Sequence, residues 1–263
     1  MSNPNSIFER DGERLLPTRH ALSFWGGDRV HGGAVIGLLA HACESFIQDP
    51  AFRISRLTVD LFSPVPAQPL SVRAHRIRDG RRISLVCASL FFDDSELARA
   101  SALFLRNRGA ALTILDTSKP RGPGDLTTTS LFRDVDAADI PPGFHLTVQT
   151  RWVPRLKGEP LAIWFRLPVS LVAGVNSSAW VRSAAISDLG NAVATVDAFE
   201  RESVTAYINV DTTMYFDRDP VGEWFCLRID RQSEYAGSSI IEISHFDTRG
   251  RFARSLQSRI SNT

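Results

Sequence analysis

The stretch His31-Gly-Gly-Ala-Val-Ile-Gly-Leu-Leu-Ala-His-Ala-Cys-Glu-Ser-Phe-Ile47 decides the fold of this 263-residue chain. At about 100° per residue, its apolar and polar side chains fall on opposite faces. The apolar face carries Val35, Ile36, Leu38, Leu39, Cys43, Phe46 and Ile47, and the other face carries Gly37, His41, Glu44 and Gln48. The stretch therefore predicts a helix with one buried side.

Four strand-like runs follow this helix. The dipeptide Asp79-Gly80 between two of them is a hairpin signal. The predicted strands are Ile54–Phe62, Leu70–Arg78, Arg82–Phe92 and Leu97–Arg106.

The second half of the chain has the same pattern. Asn176 or Ser177 can cap a helix that runs to about Val196. The strands predicted after it are Ala206–Phe216, Trp224–Asp230, Ser239–Phe246 and Phe252–Ile260.

An offset of about 154 residues relates the two halves without a gap. It matches Ile54 with Ile208, Phe62 with Phe216, Pro66 with Pro220, Phe92-Asp93 with Phe246-Asp247 and Ser101 with Ser255. A long helix followed by meandering antiparallel strands buries its apolar face when the sheet curls around it. We therefore predict an α+β fold of two tandem hotdog domains, a double hotdog whose sheets join.

A segment rich in Pro, Gly and Thr separates the halves, from about Arg106 to Pro142. Such a composition makes a poor core and is typical of a linker. The predicted organisation is an N-terminal hotdog domain over residues 1–110, a linker or crossover over 111–150, and a C-terminal hotdog domain over 151–263.

Composition excludes several classes of protein. The chain is 43% hydrophobic and 22% charged, which is typical of a globular protein and not of a disordered one. Thirty basic and 29 acidic residues leave a formal net charge of +1. Because no net field of that size gathers nucleic acid or anionic lipid, we expect neither as a partner.

Cysteine usage favours a reducing compartment. Cys43, Cys87 and Cys226 lie far apart and form no C-x-x-C pair, which argues against a disulfide framework and a structural zinc site. Residues 1–10 lack the apolar core of a signal peptide.

Two apolar stretches raise the question of a membrane span. Ala34–Ala40 is too short to cross a bilayer, and Leu161–Val175 contains Arg166 and Pro168. We therefore expect a cytoplasmic protein without a membrane partner. Exposed sheet edges could pair copies into a homodimer or a higher oligomer.

The differences between the two copies indicate a site. Asp188 falls within the apolar stripe of the second helix, whereas the first helix has no carboxylate on its buried face. A carboxylate that faces a sheet interior is costly unless it has a partner.

The strands of the second copy also carry polar residues where the first copy has apolar ones. Leu57, Val59 and Leu61 of the first copy correspond to Asp211, Thr213 and Tyr215, and Leu103 corresponds to Gln257. Strand side chains alternate with period two, so Asn209 is predicted on the face of Thr213. Asp188, Asn209, Thr213 and Gln257 form the candidate site. Taken singly, Asp188 could instead be a buried acid satisfied by the backbone or by an arginine such as Arg182, and Gln257 a solvent-facing residue of an edge strand.

Other features leave alternatives open. His31, Gly32 and Gly33 open a helix, whose N–H groups could polarise a carbonyl oxygen, or they form a tight turn that needs glycine. The arginines between His75 and Arg82 could bind a nucleotide phosphate, although a solvated hairpin tip is the simpler interpretation. Trp152, Trp164 and Trp180 are expected in the core. No G-x-S-x-G, G-x-G-x-x-G or Walker-type run occurs.

The ordered set of motifs resembles the acyl-CoA thioesterase II family, from about residue 25 onward. The first half contributes Val30-His-Gly-Gly-Ala-Val-Ile-Gly37 and Ser55-Arg-Leu-Thr-Val-Asp-Leu-Phe-Ser-Pro64. The second half contributes Ile186-Ser-Asp-Leu-Gly-Asn191, Asn209-Val-Asp-Thr-Thr-Met-Tyr-Phe216 and Ser255-Leu-Gln257.

The resemblance implies a double-hotdog hydrolase of acyl-CoA thioesters in fatty acid metabolism, without a covalent intermediate, a metal or another cofactor. It assigns the catalytic aspartate to Asp188 and the glutamine to Gln257. The family's threonine or serine falls on Asn209, which is a departure from the pattern, and Thr213 is the other candidate for that role. As substrate-binding residues we expect His31, Gly32 and Gly33.

Two further functions compete with hydrolysis. Hotdog hydratases and dehydratases use a histidine paired with an acid, and His31 has no acidic partner within its own motif. The third candidate is a non-catalytic protein that binds acyl-CoA, since Asn209 departs from the family's hydroxyl residue.

Overall fold

A computed structural model describes residues 5–24, 26–109, 119–133, 136, 139–156, 158–200 and 205–262. Within them the α-helices are α1 (Gly32–Glu44), α2 (Phe144–Thr147), α3 (Ala179–Ser187) and α4 (Gly190–Glu200). Short 3-10 turns cover Arg19–Ala21 and Pro123–Asp125. None of these helices is both long and apolar enough to cross a lipid bilayer.

The strands fall into three groups along the chain. The first group is β1 (Ser6–Asp11), β2 (Arg14–Pro17), β3 (Leu22–Ser23) and β4 (Gly26–Val30). The strands of the first half after α1 are β5 (Phe52–Leu61), β6 (Ser71–Asp79), β7 (Ile83–Phe92) and β8 (Ser95–Arg106). The remaining strands are β9 (Thr128–Thr129), β10 (Gln149–Trp152), β11 (Ala162–Arg166), β12 (Ser170–Val172), β13 (Tyr207–Asn209), β14 (Asp211–Phe216), β15 (Trp224–Tyr235), β16 (Ser238–Asp247) and β17 (Gly250–Ser261).

One twelve-stranded sheet runs through both halves. Its order is β6-β7-β8-β5-β14-β17-β16-β15-β11-β10-β9, and β13 pairs with β17 beside this path. The halves join where β5 and β14 pair antiparallel, with Asp60 opposite Asp211 and Arg56 opposite Tyr215. The predicted joining of the two sheets is confirmed.

The helices pack on the sheet and on each other. Helix α1 contacts β5 to β8, while α4 contacts β15 and β16. Helices α1 and α3 approach closely at Gly37, where an added Cβ would lie 2.7 Å from the Cβ of Ala185. The predicted tryptophans are buried: Trp152, Trp164 and Trp180 are at most 8% exposed.

The repeat of about 154 residues holds in the strands. Shifted by that number, β5 to β8 fall within two residues of the β13–β14 pair, β15, β16 and β17. The predicted strand ends of the first half also lie within two residues of those observed.

Three expectations for the second half are wrong in detail. The helix is capped by Ser178, not by Asn176 or Ser177, and it is interrupted at Asp188 and Leu189. The strand predicted over Ala206–Phe216 is divided at Val210 into β13 and β14. Strand β15 continues beyond Asp230, because a register shift after Ile229 lets it pair on to Tyr235.

The segment predicted as a linker is only partly described, since residues 111–118, 134–135 and 137–138 lie outside the described ranges. The described part contains α2 and β9, and β10 begins within it. At the other end of the chain, β1 pairs in parallel with β12 of the second half, which the sequence patterns did not predict. The predicted domain boundaries stay predictions.

Candidate active site

The candidate site lies where α1 begins. His31 caps α1, and its Nδ1 accepts a hydrogen bond of 2.9 Å from the backbone N–H of Gly33. An added Cβ at Gly33 would lie 2.5 Å from the carbonyl oxygen of Ala185, and one at Gly32 would lie 2.7 Å from Oδ2 of Asp188. The two glycines therefore let the first turn of α1 touch the end of α3.

Asp188 is held at the interruption between α3 and α4. Its side chain is 8% exposed, its Oδ1 accepts a hydrogen bond of 2.7 Å from Nδ2 of Asn209, and its Oδ2 lies 3.1 Å from Nδ1 of His31. The first half thus supplies one partner and the second half the other.

These contacts keep the carboxyl group ionised. Burial alone would raise the pKa of Asp188, because it penalises the charged form. The hydrogen bond and charge of His31, the Asn209 amide and the Gly33 N–H outweigh burial and hold that pKa below its usual value. Asp188 is therefore a buried base that is unprotonated at neutral pH.

Gln257 reaches the residues on either side of Asp188 from the inner face of the central strand β17. It is fully buried, and its Nε2 donates a hydrogen bond of 2.8 Å to the carbonyl oxygen of Ser187. An added Cβ at Gly190, two residues after Asp188, would lie 3.3 Å from its Oε1. The helix interruption and the end of β17 therefore meet at one place.

Two buried acceptor oxygens of this group lack a hydrogen-bond partner among the described residues, Oδ1 of Asn209 and Oε1 of Gln257. The amide orientations follow from the partners, since Asn209 must donate to a carboxylate and Gln257 to a carbonyl. Unpaired buried acceptors are rare in folded proteins, and a bound water or substrate N–H would satisfy them.

Two of the structural alternatives are not observed, whereas backbone support of Asp188 is, because the Gly33 N–H is among the groups that lower its pKa. Arg182 donates to the carbonyl oxygens of Ser177 and Gly222, and Asp188 is not among its contacts. Gln257 is not a solvent-facing edge residue, because β17 lies between β14 and β16.

The prediction that Asn209 and Thr213 share a face is wrong. The register with β17 shifts by one residue between the pairs Asn209–Arg259 and Thr213–Leu256, because the strand is divided at Val210. On β14 the buried side chains are therefore Thr212, Met214 and Phe216, and Tyr215 is 58% exposed. Thr213 turns away from Asp188, and its hydroxyl contacts that of Thr58 at 3.3 Å.

The statement that His31 lacks an acidic partner holds only within its own motif. The partner is Asp188, 157 residues further along the chain. Nδ1 of His31 accepts from Gly33 when it carries no hydrogen and donates to Asp188 when it carries one, so the hydrogen position on the ring sets which contact forms.

The sequence patterns missed Phe144 and His145, because both lie in the segment interpreted as a linker. The ring of Phe144 stacks on His31 with centroids 4.9 Å apart. Burial and the nearby His31 lower the pKa of His145 to about 4, so this ring is neutral at neutral pH. An aromatic residue two positions after Pro142 was the available signal.

A cavity of about 360 Å³ lies away from this group, at the other end of the paired helices. Its lining includes Ile47, Phe104, Ser178 and Trp180, and none of the candidate site residues. The candidate site residues therefore do not belong to this opening.

Comparison with protein families decides the assignment. The acyl-CoA thioesterase N-terminal domain matches residues 22–105, and the acyl-CoA thioesterase C-terminal domain matches residues 119–260. The chain belongs to the acyl-CoA thioesterase family. This acyl-CoA thioesterase is accordingly a thioester hydrolase, and the resemblance in its sequence motifs is confirmed.

Solved structures agree on the fold. A hotdog-fold protein of unknown function from Alicyclobacillus acidocaldarius has a TM-score of 0.73 and 16% identity, with 98% of this chain and 97% of that chain covered. Acyl-CoA thioesterase II TesB2 from Mycobacterium marinum has a TM-score of 0.66 and 19% identity, with 88% of each chain covered.

A bifunctional dehydratase-cyclase domain from ambruticin biosynthesis also shares the fold. Its TM-score is 0.53 at 16% identity, with 90% of this chain and 85% of that chain covered. No curated protein sequence matches the thioesterase. The double-hotdog fold is confirmed.

Proposed function

We propose that this thioesterase hydrolyses acyl-CoA with a water that Asp188 activates as general base. The observation that carries the proposal is the buried carboxylate held ionised between His31 and Asn209, with Gln257 bonded to the carbonyl of the preceding residue, Ser187. A base that abstracts a proton must be ionised at the working pH and within hydrogen-bond reach of the water.

The amides of Asn209 and Gln257 are the proposed positioning groups. One unpaired buried oxygen, of Asn209 or of Gln257, can accept one O–H of a water whose other O–H is donated to Asp188, which would orient its lone pair toward a thioester carbonyl. Thr213 has no part in this proposal, since its hydroxyl faces Thr58.

The chemical step balances without a further reactant. The water oxygen bonds to the thioester carbonyl carbon while its proton passes to Asp188. The oxyanion then collapses, the C–S bond breaks, and the departing thiolate takes the proton from Asp188. The N–H of Gly32, in the first turn of α1, is our candidate donor to the oxyanion.

The test is the variant Asp188→Asn, which keeps the size of the side chain and its ability to form hydrogen bonds but removes the base. We expect the release of free thiol from acyl-CoA to fall about 10³-fold with acyl-CoA binding retained. The matched control is Asp60→Asn, an exposed residue near the end of β5, which should leave turnover unchanged. Undiminished turnover in Asp188→Asn overturns the proposal.

One observation favours a second candidate, an enoyl-CoA hydratase or dehydratase. That chemistry pairs a histidine with an acid, and His31 and Asp188 are 3.1 Å apart. Crotonyl-CoA separates the two reactions. Thiol release indicates the hydrolase, and loss of the enoyl absorbance without thiol release indicates the hydratase.

A further inference from the structure

Five arginines line a second cavity, of about 890 Å³, at one end of the first-half strands. They come from the end of β6, the β6–β7 turn, and the end of β8 with the residues after it: Arg78, Arg81, Arg82, Arg106 and Arg108. The backbone holds them together, because the N–H of Arg106 donates to the carbonyl of Arg82 at 3.0 Å and its Nε donates to that of Arg81 at 2.6 Å.

This arginine pocket is largely without counter-charge. Asp49 pairs with Arg106 at 2.6 Å, and the hairpin carboxylate Asp79 pairs with Arg76 outside the lining. Among the described residues, no carboxylate pairs with the other four arginines of the lining. Four like charges that converge on one concavity create a local positive potential, although the whole chain carries only +1.

We propose that the arginine pocket binds the phosphate groups of a nucleotide. The guanidinium fork matches phosphate oxygens in bidentate geometry, and its plane stacks on a base. A concave volume of this size is typical of small-molecule sites and larger than a single phosphate needs.

The pocket lies far from the carboxylate site. Arg106 pairs with Phe52 at the start of β5, whereas Asp60 near the other end of β5 pairs with Asp211, two residues after Asn209. Eight residues of strand correspond to roughly 26 Å. The nucleotide has two possible sources, the far end of an acyl-CoA substrate and a separate nucleotide.

The first test is calorimetric titration with 3′-phospho-ADP, the nucleotide end of coenzyme A, and with inorganic phosphate. Arg81→Gln/Arg82→Gln removes two unpaired charges from an exposed turn. Arg14→Gln/Arg231→Gln removes the same charge from exposed positions elsewhere. We expect the nucleotide to bind the wild type with one-to-one stoichiometry. Its affinity should fall at least about tenfold in the pocket variant and stay unchanged in the control variant.

Three results overturn the proposal: no binding to the wild type, equal weakening in the control, or inorganic phosphate bound as tightly as the nucleotide. This test does not require catalysis, so its failure is distinguishable from failure of the proposed hydrolase mechanism.

The second test identifies the source and rests on the proposed function. It compares the KM for an acyl-CoA with that for the N-acetylcysteamine thioester of the same acid, which lacks the nucleotide. If the pocket variant has a higher KM for acyl-CoA alone, the site binds the substrate's own nucleotide. If the KM rises for neither substrate, the site binds a separate nucleotide. An equal rise in both contradicts the proposal.

Discussion

Gly32 lies so close to the carboxylate of Asp188 that a side chain at position 32 would collide with it. An added Cβ would lie 2.7 Å from Oδ2 of Asp188 and 3.0 Å from its carboxyl carbon. The contact joins the first turn of α1 to the end of α3. It makes a glycine a structural requirement of the site, although glycine is unfavourable in a helix.

Gly32→Ala should therefore displace the carboxylate and lower kcat for acyl-CoA at least about 100-fold, which corresponds to roughly 2.7 kcal/mol. The control is Gly124→Ala, where an added Cβ meets nothing within 4 Å. Thiol-release kinetics and circular dichroism of both variants measure the effect. Full activity in Gly32→Ala would show that the carboxylate position is not critical.

Asn209 and Thr213 are expected to differ in their effect on the pH profile. Asn209→Ala removes a hydrogen bond that lowers the pKa of Asp188, so the acid limb of kcat/KM should move to higher pH and the plateau should fall about tenfold. Thr213→Val should leave both unchanged, because its hydroxyl faces Thr58. In the wild type the acid limb should lie below the ordinary titration range of an aspartate, since hydrogen bonds from His31, Asn209 and Gly33 lower the pKa of Asp188. The opposite ranking of the two variants contradicts the assignment.

Gln257 also supports the fold. Gln257→Met keeps the length of the side chain but leaves the buried carbonyl of Ser187 without its donor. We expect a loss of about 1–3 kcal/mol in the free energy of unfolding, together with a lower kcat. The control Gln232→Met lies on a solvent-accessible part of β15, where the amide contacts only Glu234, and it should change stability little. Urea unfolding of the three proteins measures the difference, and equal stability would remove this role.

His245 should make the fold sensitive to acid. It is fully buried, its Nε2 lies 2.7 Å from the hydroxyl of Ser255, and burial lowers its pKa to about 3. Above about pH 6.5 the ring is neutral in both folded and unfolded chains. As the pH falls toward 3, the unfolded chain binds a proton that the folded chain excludes, so the free energy of unfolding decreases.

The variant His245→Gln removes the ring that binds this proton in the unfolded chain. Its loss of stability between pH 6 and pH 4 should be shallower than that of the wild type, by up to roughly 1.4 kcal/mol per pH unit. Denaturant unfolding across this range measures the slope, with the exposed His75→Gln as control. Identical slopes in wild type and His245→Gln would contradict the expectation.

Local patterns predicted most of the architecture. The apolar stripe of α1 and the alternating strands are short-range signals, and the 154-residue repeat extended them to the second half. The burial of Asp188 and Gln257 could be anticipated, because both replace apolar positions of the other copy.

The errors have identifiable physical causes. A one-residue register shift reverses every side chain beyond it, so the division at Val210 turned Thr213 away from Asn209. The interruption at Asp188 is followed by Gly190, which packs so closely on Cδ1 of Ile243 in β16 that an added Cβ would clash, and this long-range contact is not visible in the local sequence. The partnership of His31 with Asp188 is a long-range contact that no spacing within either motif encodes.

The pairing of β5 with β14 has a consequence for how the chain can change over evolutionary time. Because His31 lies in one repeat and Asp188 in the other, neither repeat alone carries both members of the proposed centre. A substitution that moves the start of α1 in one copy therefore alters the surroundings of the carboxylate in the other, and we expect the two copies to vary together.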